Sequence, residues 1–276
     1  MKLSCLSNVY SRFSLEKAFS EAQRLGLEGI EVWGGRPHAY VYDVDEKMAA
    51  TIRGWAKQYG VEICSYCPEN CVYPYNLCSQ SEKERSETVQ YFKEALDVAA
   101  AIGAPMIQIT PGDPGYEGDP DEDWKHLCEG LREVCAHAEK VGVRVVMETL
   151  STEESLILNT ADDLVRLLKA VPSPMMFGMV DFVSPAIMYE PFSNYFKKLG
   201  PKMGHIHLAD SDGKTADHLM IGEGVIPFKQ VLSMIKKYDY PYYASIELSP
   251  MGTHGADPES YVELFVERLR EVLSQI

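Results

Sequence analysis

The sequence predicts a closed (β/α)8 barrel occupying a single domain, residues 1–276, and three observations carry that expectation. The chain length of 276 residues is close to the ~250 typical of this fold. Short apolar runs and helix-like stretches alternate from end to end, with no linker or low-complexity tract between them. The strand candidates are brief, uninterrupted apolar runs, as in a parallel sheet covered on both faces. An open doubly wound sheet would carry a glycine-rich loop after its first strand. Here Leu6 is followed by Ser7-Asn8-Val9-Tyr10-Ser11, which has no glycine.

Leu3 to Leu6 forms the first strand, and Ser14 caps a helix that runs to Leu25-Gly26. Gly29 to Trp33 is the second strand, followed by a helix from Glu46 to Tyr59. Val61 to Tyr66 leads into a long helix from Ser81 to Ile102, and Pro105 to Thr110 is the fourth strand. A Gly/Asp/Pro-rich loop, Pro111 to Asp121, precedes a helix ending near Val141. The last four strands are Arg144 to Leu150, Met176 to Asp181, Met203 to His207 and Tyr243 to Glu247. Helices at Thr160 to Ala170, Pro191 to Leu199, Pro227 to Tyr238 and Pro258 to Ile276 complete eight strands and eight helices.

Composition narrows the function. With 46% hydrophobic and 24% charged residues the chain is an ordinary globular protein, and its net charge of −15 opposes a nucleic-acid partner. A small-molecule substrate fits better. The opening Met1 to Leu6 is too short for a signal peptide, and no apolar run reaches the ~18 residues of a membrane span. Seven cysteines, an odd number, are expected to be free thiols in a cytoplasmic protein. A homo-oligomer, dimer or tetramer, is also expected.

The last four strands each end on a metal-capable side chain: Glu148, Asp181, His207 and Glu247. Active sites of such barrels sit at these carboxyl ends. Three carboxylates and an imidazole make a hard, oxygen-rich site for one divalent ion, Mn²⁺ foremost, with Mg²⁺, Co²⁺, Ni²⁺ or Zn²⁺ tolerated. Glu31, near the end of the second strand, belongs to the same inventory. Of His205 and His207 only His207 is expected to enter the site, with His205 facing away as a core or second-layer histidine.

Several stretches resemble the sugar phosphate isomerase/epimerase family of xylose isomerase-like barrels. They are Gly29 to Ala39 with its Trp-Gly-Gly-Arg-Pro-His segment, Tyr73-Pro74-Tyr75-Asn76, Met179-Val180-Asp181, His207 to Gly213, and Gly222-Glu223-Gly224. The likeness is to the ketose 3-epimerase group, and the first two stretches look like its fructoselysine branch. The resemblance implies that Glu148, Asp181, His207 and Glu247 bind one divalent metal. It also implies that Glu154 contacts substrate.

Tagatose-type members carry a substrate-contacting histidine and an arginine where this chain has Ser184 and Gly213, so a different tail on the sugar is expected. The expected reaction is inversion at C3 of a ketose or ketosamine, such as fructoselysine/psicoselysine or a related ketohexose, through a cis-enediolate. The metal acts as Lewis acid, and Glu148 and Glu247 work as the acid/base pair on opposite faces. Asp212 and His218 are expected to bind hydroxyls beside Glu154, while Trp33, Tyr73 and Tyr75 offer aromatic faces. Arg36 and His38 are read either as contacts to a charged tail or as part of an exposed loop salt bridge.

The alternatives use the same site: an aldose–ketose isomerase of the hydroxypyruvate isomerase type, or a lyase acting on a 3-keto C-glycoside. An abasic-site endonuclease would need histidines after strands three and four, where the chain has Ser65-Tyr66-Cys67-Pro68 and Thr110-Pro111-Gly112. The spacing of Cys64, Cys67 and Cys71 fits no metal cluster, and Gly222-Glu223-Gly224 lacks the lysine of a phosphate loop. Its glutamate is read as an acid at the barrel mouth.

Overall fold

The structure is a computed structural model that describes residues 1–71, 74–249 and 255–276. Its strands are β1 (Lys2–Leu6), β2 (Gly29–Gly34), β3 (Glu62–Pro68), β4 (Met106–Ile109), β5 (Arg144–Met147), β6 (Met176–Asp181), β7 (Met203–Leu208) and β8 (Tyr243–Ile246). They pair in parallel and in sequence order, and β8 returns to β1, so the barrel is closed. Closure removes the exposed edges an open sheet would leave.

Around it lie α1 (Leu15–Arg24), α2 (Glu46–Tyr59), α3 (Glu82–Ile102), α4 (Pro120–Val141), α5 (Ala161–Ala170), α6 (Val183–Ile187), α7 (Ser193–Leu199), α8 (Phe228–Lys237) and α9 (Pro258–Leu273). The eight expected helices are present, with α7 beginning at Ser193 rather than Pro191. The single-turn α6 is additional. It forms because Asp181 Oδ1 accepts the backbone N–H of Val183, turning the chain as it leaves β6. Ser14, Asp45, Ser81, Asp119 and Thr160 each cap a helix through the side chain, satisfying amides the helix itself leaves open.

Strand parity divides the core in two. Val145, Met147, Val180, Ile206 and Ile246 point outward and pack beneath the helices. The other parity points inward: Met106, Val146 and Met179 form a small, separate apolar plug with Phe177 against it. Two residues further along the same strands stand Gln108, Glu148 and Asp181, all buried. The barrel interior therefore changes from apolar to polar toward its carboxyl end.

Candidate metal centre and active site

One ligand-type atom from each of Glu148, Asp181, His207 and Glu247 lies within 4.8 Å of the others. His207 Nδ1 is 2.5 Å from Glu247 Oε2, 3.7 Å from Glu148 Oε1 and 4.0 Å from Asp181 Oδ2. This nitrogen is buried and makes no hydrogen bond. A buried, unpartnered imidazole nitrogen facing three carboxylates fits a divalent cation, and the oxygen-rich set favours a hard one.

Glu31 prepares that nitrogen. Its Oε2 lies 2.8 Å from His205 Nε2 and 3.1 Å from His207 Nε2, and all three side chains are buried. Donation of the His207 Nε2 proton to this carboxylate leaves Nδ1 with its lone pair toward the cluster. His205 thus corrects the expectation that it faces away. Residues two apart share one face of a strand, so both rings enter the barrel.

Neighbouring groups orient the carboxylates. Gln108 Nε2 donates to Glu148 Oε2 at 2.5 Å, and Cys67 Sγ donates to Gln108 Oε1 at 2.8 Å. His218 Nε2 lies 2.9 Å from Asp181 Oδ2 and 3.4 Å from Glu247 Oε2. Two chemically similar glutamates therefore have unlike surroundings. Burial raises the Glu148 carboxyl to about 8, with Glu247 and Asp181 adding to the rise and His207 opposing it. Burial would raise Glu247 too, but His207 and His218 outweigh it and hold Glu247 well below the usual carboxylate range. Burial would lower the two imidazoles. The surrounding carboxylates reverse this, so both hold their protons well above the ordinary range when no cation is bound.

A cavity of about 380 Å³ opens over this cluster, lined by Trp33, Glu148, Glu154, His218 and Glu247. A larger one, about 640 Å³, lies at the opposite end of the barrel against Met1, Leu3 and Pro241, away from the clustered acids and histidines. The clustered acids and imidazoles make the smaller cavity the candidate active site. Glu154 has Oε2 held by the Ser151 hydroxyl at 2.9 Å. Tyr75 stands in an adjoining cavity and stacks on Tyr91 with 3.6 Å between ring centroids. Tyr73 lies outside the described residues.

Other expected contacts are redirected. Asp212 Oδ1 accepts the Lys214 and Thr215 amides, both at 2.8 Å, so it shapes its own loop and is absent from the cavity wall among the described residues. Arg36 pairs with Asp43 at the surface, and His38 is buried against Ser7 and the Tyr10 and Phe13 carbonyls. Neither lines the cavity. Gly222 and Gly224 donate their amides to Asp210 Oδ2 at 2.8 and 3.0 Å, so this segment is a cradle for Asp210. A Cβ on Gly224 would run into the Ser211 carbonyl and Asp210 itself. Gly213 has φ +71°, a left-handed conformation that disfavours a side chain there. All seven cysteines are free.

Gln108, His205, Glu69 and Asp217 were not legible as site residues. Strand parity from Glu148 and His207 points to the first two, whereas Glu69 and Asp217 sit on irregular loops.

A closed parallel barrel carrying an acid–imidazole cluster at the carboxyl ends of four successive strands defines the structural class. The chain belongs to the xylose isomerase-like TIM barrel family, whose model matches residues 19–273. Within that family it is similar to fructoselysine 3-epimerase of Shigella flexneri, 36% identical over 275 residues and covering 100% of this chain and 99% of the relative. It is 24% identical to D-psicose 3-epimerase of Enterocloster bolteae, over 94% of this chain and 86% of that one. The crystal structure of a D-psicose 3-epimerase in the presence of D-fructose superimposes with a TM-score of 0.81 at 20% identity. That match covers 99% of this chain and 97% of the other, and shows the shared fold.

Proposed function

We propose that the protein is a metal-dependent ketose 3-epimerase that inverts C3 of a ketose or ketosamine, of which fructoselysine/psicoselysine is the foremost candidate. The observation that carries this reading is the placement of Glu148 and Glu247 directly after β5 and β8, three strands apart, with His207 Nδ1 3.7 Å from a Glu148 oxygen and 2.5 Å from a Glu247 oxygen. The family relatives named as 3-epimerases support it.

Glu148, Asp181, His207 and Glu247 would hold the cation, for which Mn²⁺ is the proposed ion. When bound, it supplies Lewis-acid polarisation of the ketose carbonyl, which acidifies the C3–H bond. One glutamate removes the C3 proton, and the other returns a proton to the opposite face, inverting the centre. Each such group contributes typically ~10²–10⁴-fold to rate. Gln108 holds one Glu148 oxygen and His218 steadies Glu247, which keeps both carboxylates aimed at the substrate carbon. Glu154 takes a hydroxyl near C1 or C2, and Trp33 supplies an apolar face.

The test is ¹H NMR of the Mn²⁺-loaded protein with fructoselysine and with psicose in D₂O. Deuterium entering at C3 is expected. Entry at C1 would mean an aldose–ketose isomerase, and no exchange with any ketose would sink the reading. Glu148→Gln and Glu247→Gln are each expected to lower the C3 exchange rate by about 10²–10⁴-fold.

A further inference from the structure

Cys67 lines the catalytic cavity, yet the proposed reaction gives it no task. Cys5, Cys64 and Cys78 donate their S–H groups to backbone carbonyls. Cys67 donates to a side chain instead, Gln108 Oε1, at 2.8 Å. The other end of that amide, Nε2, donates to Glu148 Oε2 at 2.5 Å, while Glu148 Oε1 is the oxygen 3.7 Å from His207 Nδ1. Side chains from β3, β4 and the residue following β5 thus form one line of donors along the cavity wall, ending on a proposed metal ligand.

The middle link is ambiguous until its neighbours are counted. The two ends of a glutamine amide have nearly the same shape, so either could face Glu148. With Nε2 toward the carboxylate a donor meets an acceptor, and with Oε1 toward it two acceptors meet. A charged Glu148 disfavours the second arrangement, but a protonated one can donate to Oε1 and accept it. The thiol removes that freedom. Burial, with Glu31 and Glu69 adding to it, pushes Cys67 well above the ordinary thiol range, so the sulfur keeps its proton and offers it to Oε1. Gln108 is itself buried, and among the described residues these two bonds are all its amide makes.

We propose that Cys67 is a positioning residue for Glu148: its S–H locks the Gln108 amide with Nε2 toward the carboxylate, which holds Oε2 still and leaves Oε1 to the metal. Cys67 acts through Gln108 rather than by contact with the substrate. Its effect on rate rests on the epimerase reading, and its effect on ion affinity on the metal site alone.

Infrared difference spectra isolate the Cys67 S–H stretch by subtracting Cys67→Ser from the wild type. The band is expected at the lowered frequency of a hydrogen-bonded thiol, and should rise to that of a free thiol in Gln108→Leu. In C3 exchange at saturating Mn²⁺, Cys67→Ala is expected to lower kcat about 3- to 10-fold with KM within about twofold, whereas Cys67→Ser, which keeps a donor, stays within about twofold of the wild type. Mn²⁺ Kd from an electron paramagnetic resonance titration should weaken in Cys67→Ala by a similar factor. In the Gln108→Leu background Cys67→Ala should change neither kcat nor Kd further. A free-thiol frequency in the wild type, failure of Cys67→Ser to restore what Cys67→Ala loses, or a Cys67→Ala loss that persists without Gln108 overturns the proposal. If the wild type exchanges no ketose at C3, the epimerase reading fails, and the S–H frequency together with the Mn²⁺ Kd of the same variants decides the positioning role.

Discussion

Glu31 determines which nitrogen His207 offers. In the proposed metal site the His207 Nε2 proton goes to this carboxylate, 3.1 Å away, which leaves Nδ1 to face the ion. Glu31→Gln replaces that acceptor with an amide of nearly the same shape, and Mn²⁺ affinity is expected to fall about 10–100-fold, read from the free-ion signal in an electron paramagnetic resonance titration. Unchanged affinity would show that the ring needs no such support. The four clustered residues were legible because each closes an apolar run, where a charged side chain stands out. Gln108 was not, since a neutral amide inside a strand carries no such contrast, and its importance comes from a single bond to Glu148. Asp212 failed for the opposite reason. An acid on a loop satisfies nearby amides more cheaply than it waits for a ligand.

At the scale of elements, all eight strands fall where the apolar runs placed them, because a barrel strand must be buried outward beneath helices whatever it carries inward. The one-turn α6 was missed: it is nucleated by the Asp181 side chain rather than by a periodic pattern. The loop after β7 shows how tightly an irregular element can be specified. Asp210 accepts amides from Gly222, Gly224 and Ile226, and the space at Gly224 is already filled by the acid it serves. Gly224→Ala is expected to cost about 1–3 kcal/mol in urea unfolding, while Glu223→Ala, an exposed neighbour, should stay within about 0.5 kcal/mol. Comparable losses for both would mean that the cradle contributes little.

For the whole molecule, the acid–imidazole cluster links stability to pH and to metal. Without metal, folded Glu148 keeps a proton up to about 8, whereas an unfolded glutamate loses it near ~4.3. His207 and His218 are raised as well, so between about pH 5 and 8 the folded chain holds more protons than the unfolded one. Stability of the metal-free protein is therefore expected to fall as pH rises through that window. Glu247, held low, contributes in the other direction only below its unfolded value. At the proposed site a metal would displace the protons on Glu148 and His207, so Mn²⁺ affinity should strengthen over the same interval. Saturation at 100 times Kd would add about 2.7 kcal/mol, lost again on chelation. Thermal melts at pH 5.5 and 8.0, with Mn²⁺ or with EDTA, check both signs. A metal-free protein that gains stability toward pH 8 would contradict the proton inventory.

The unlike surroundings of Glu148 and Glu247 have a kinetic consequence. If one glutamate takes a proton and the other gives one, each turnover leaves the enzyme with its proton on the opposite side from where it began. The free enzyme then exists in two isomeric forms, one competent for each direction, and must pass a proton across before repeating the same conversion. Gln108 on one side and the two imidazoles on the other make those forms unequal in energy. At high flux the return step would limit the rate, and it would appear as product inhibition that is noncompetitive with substrate.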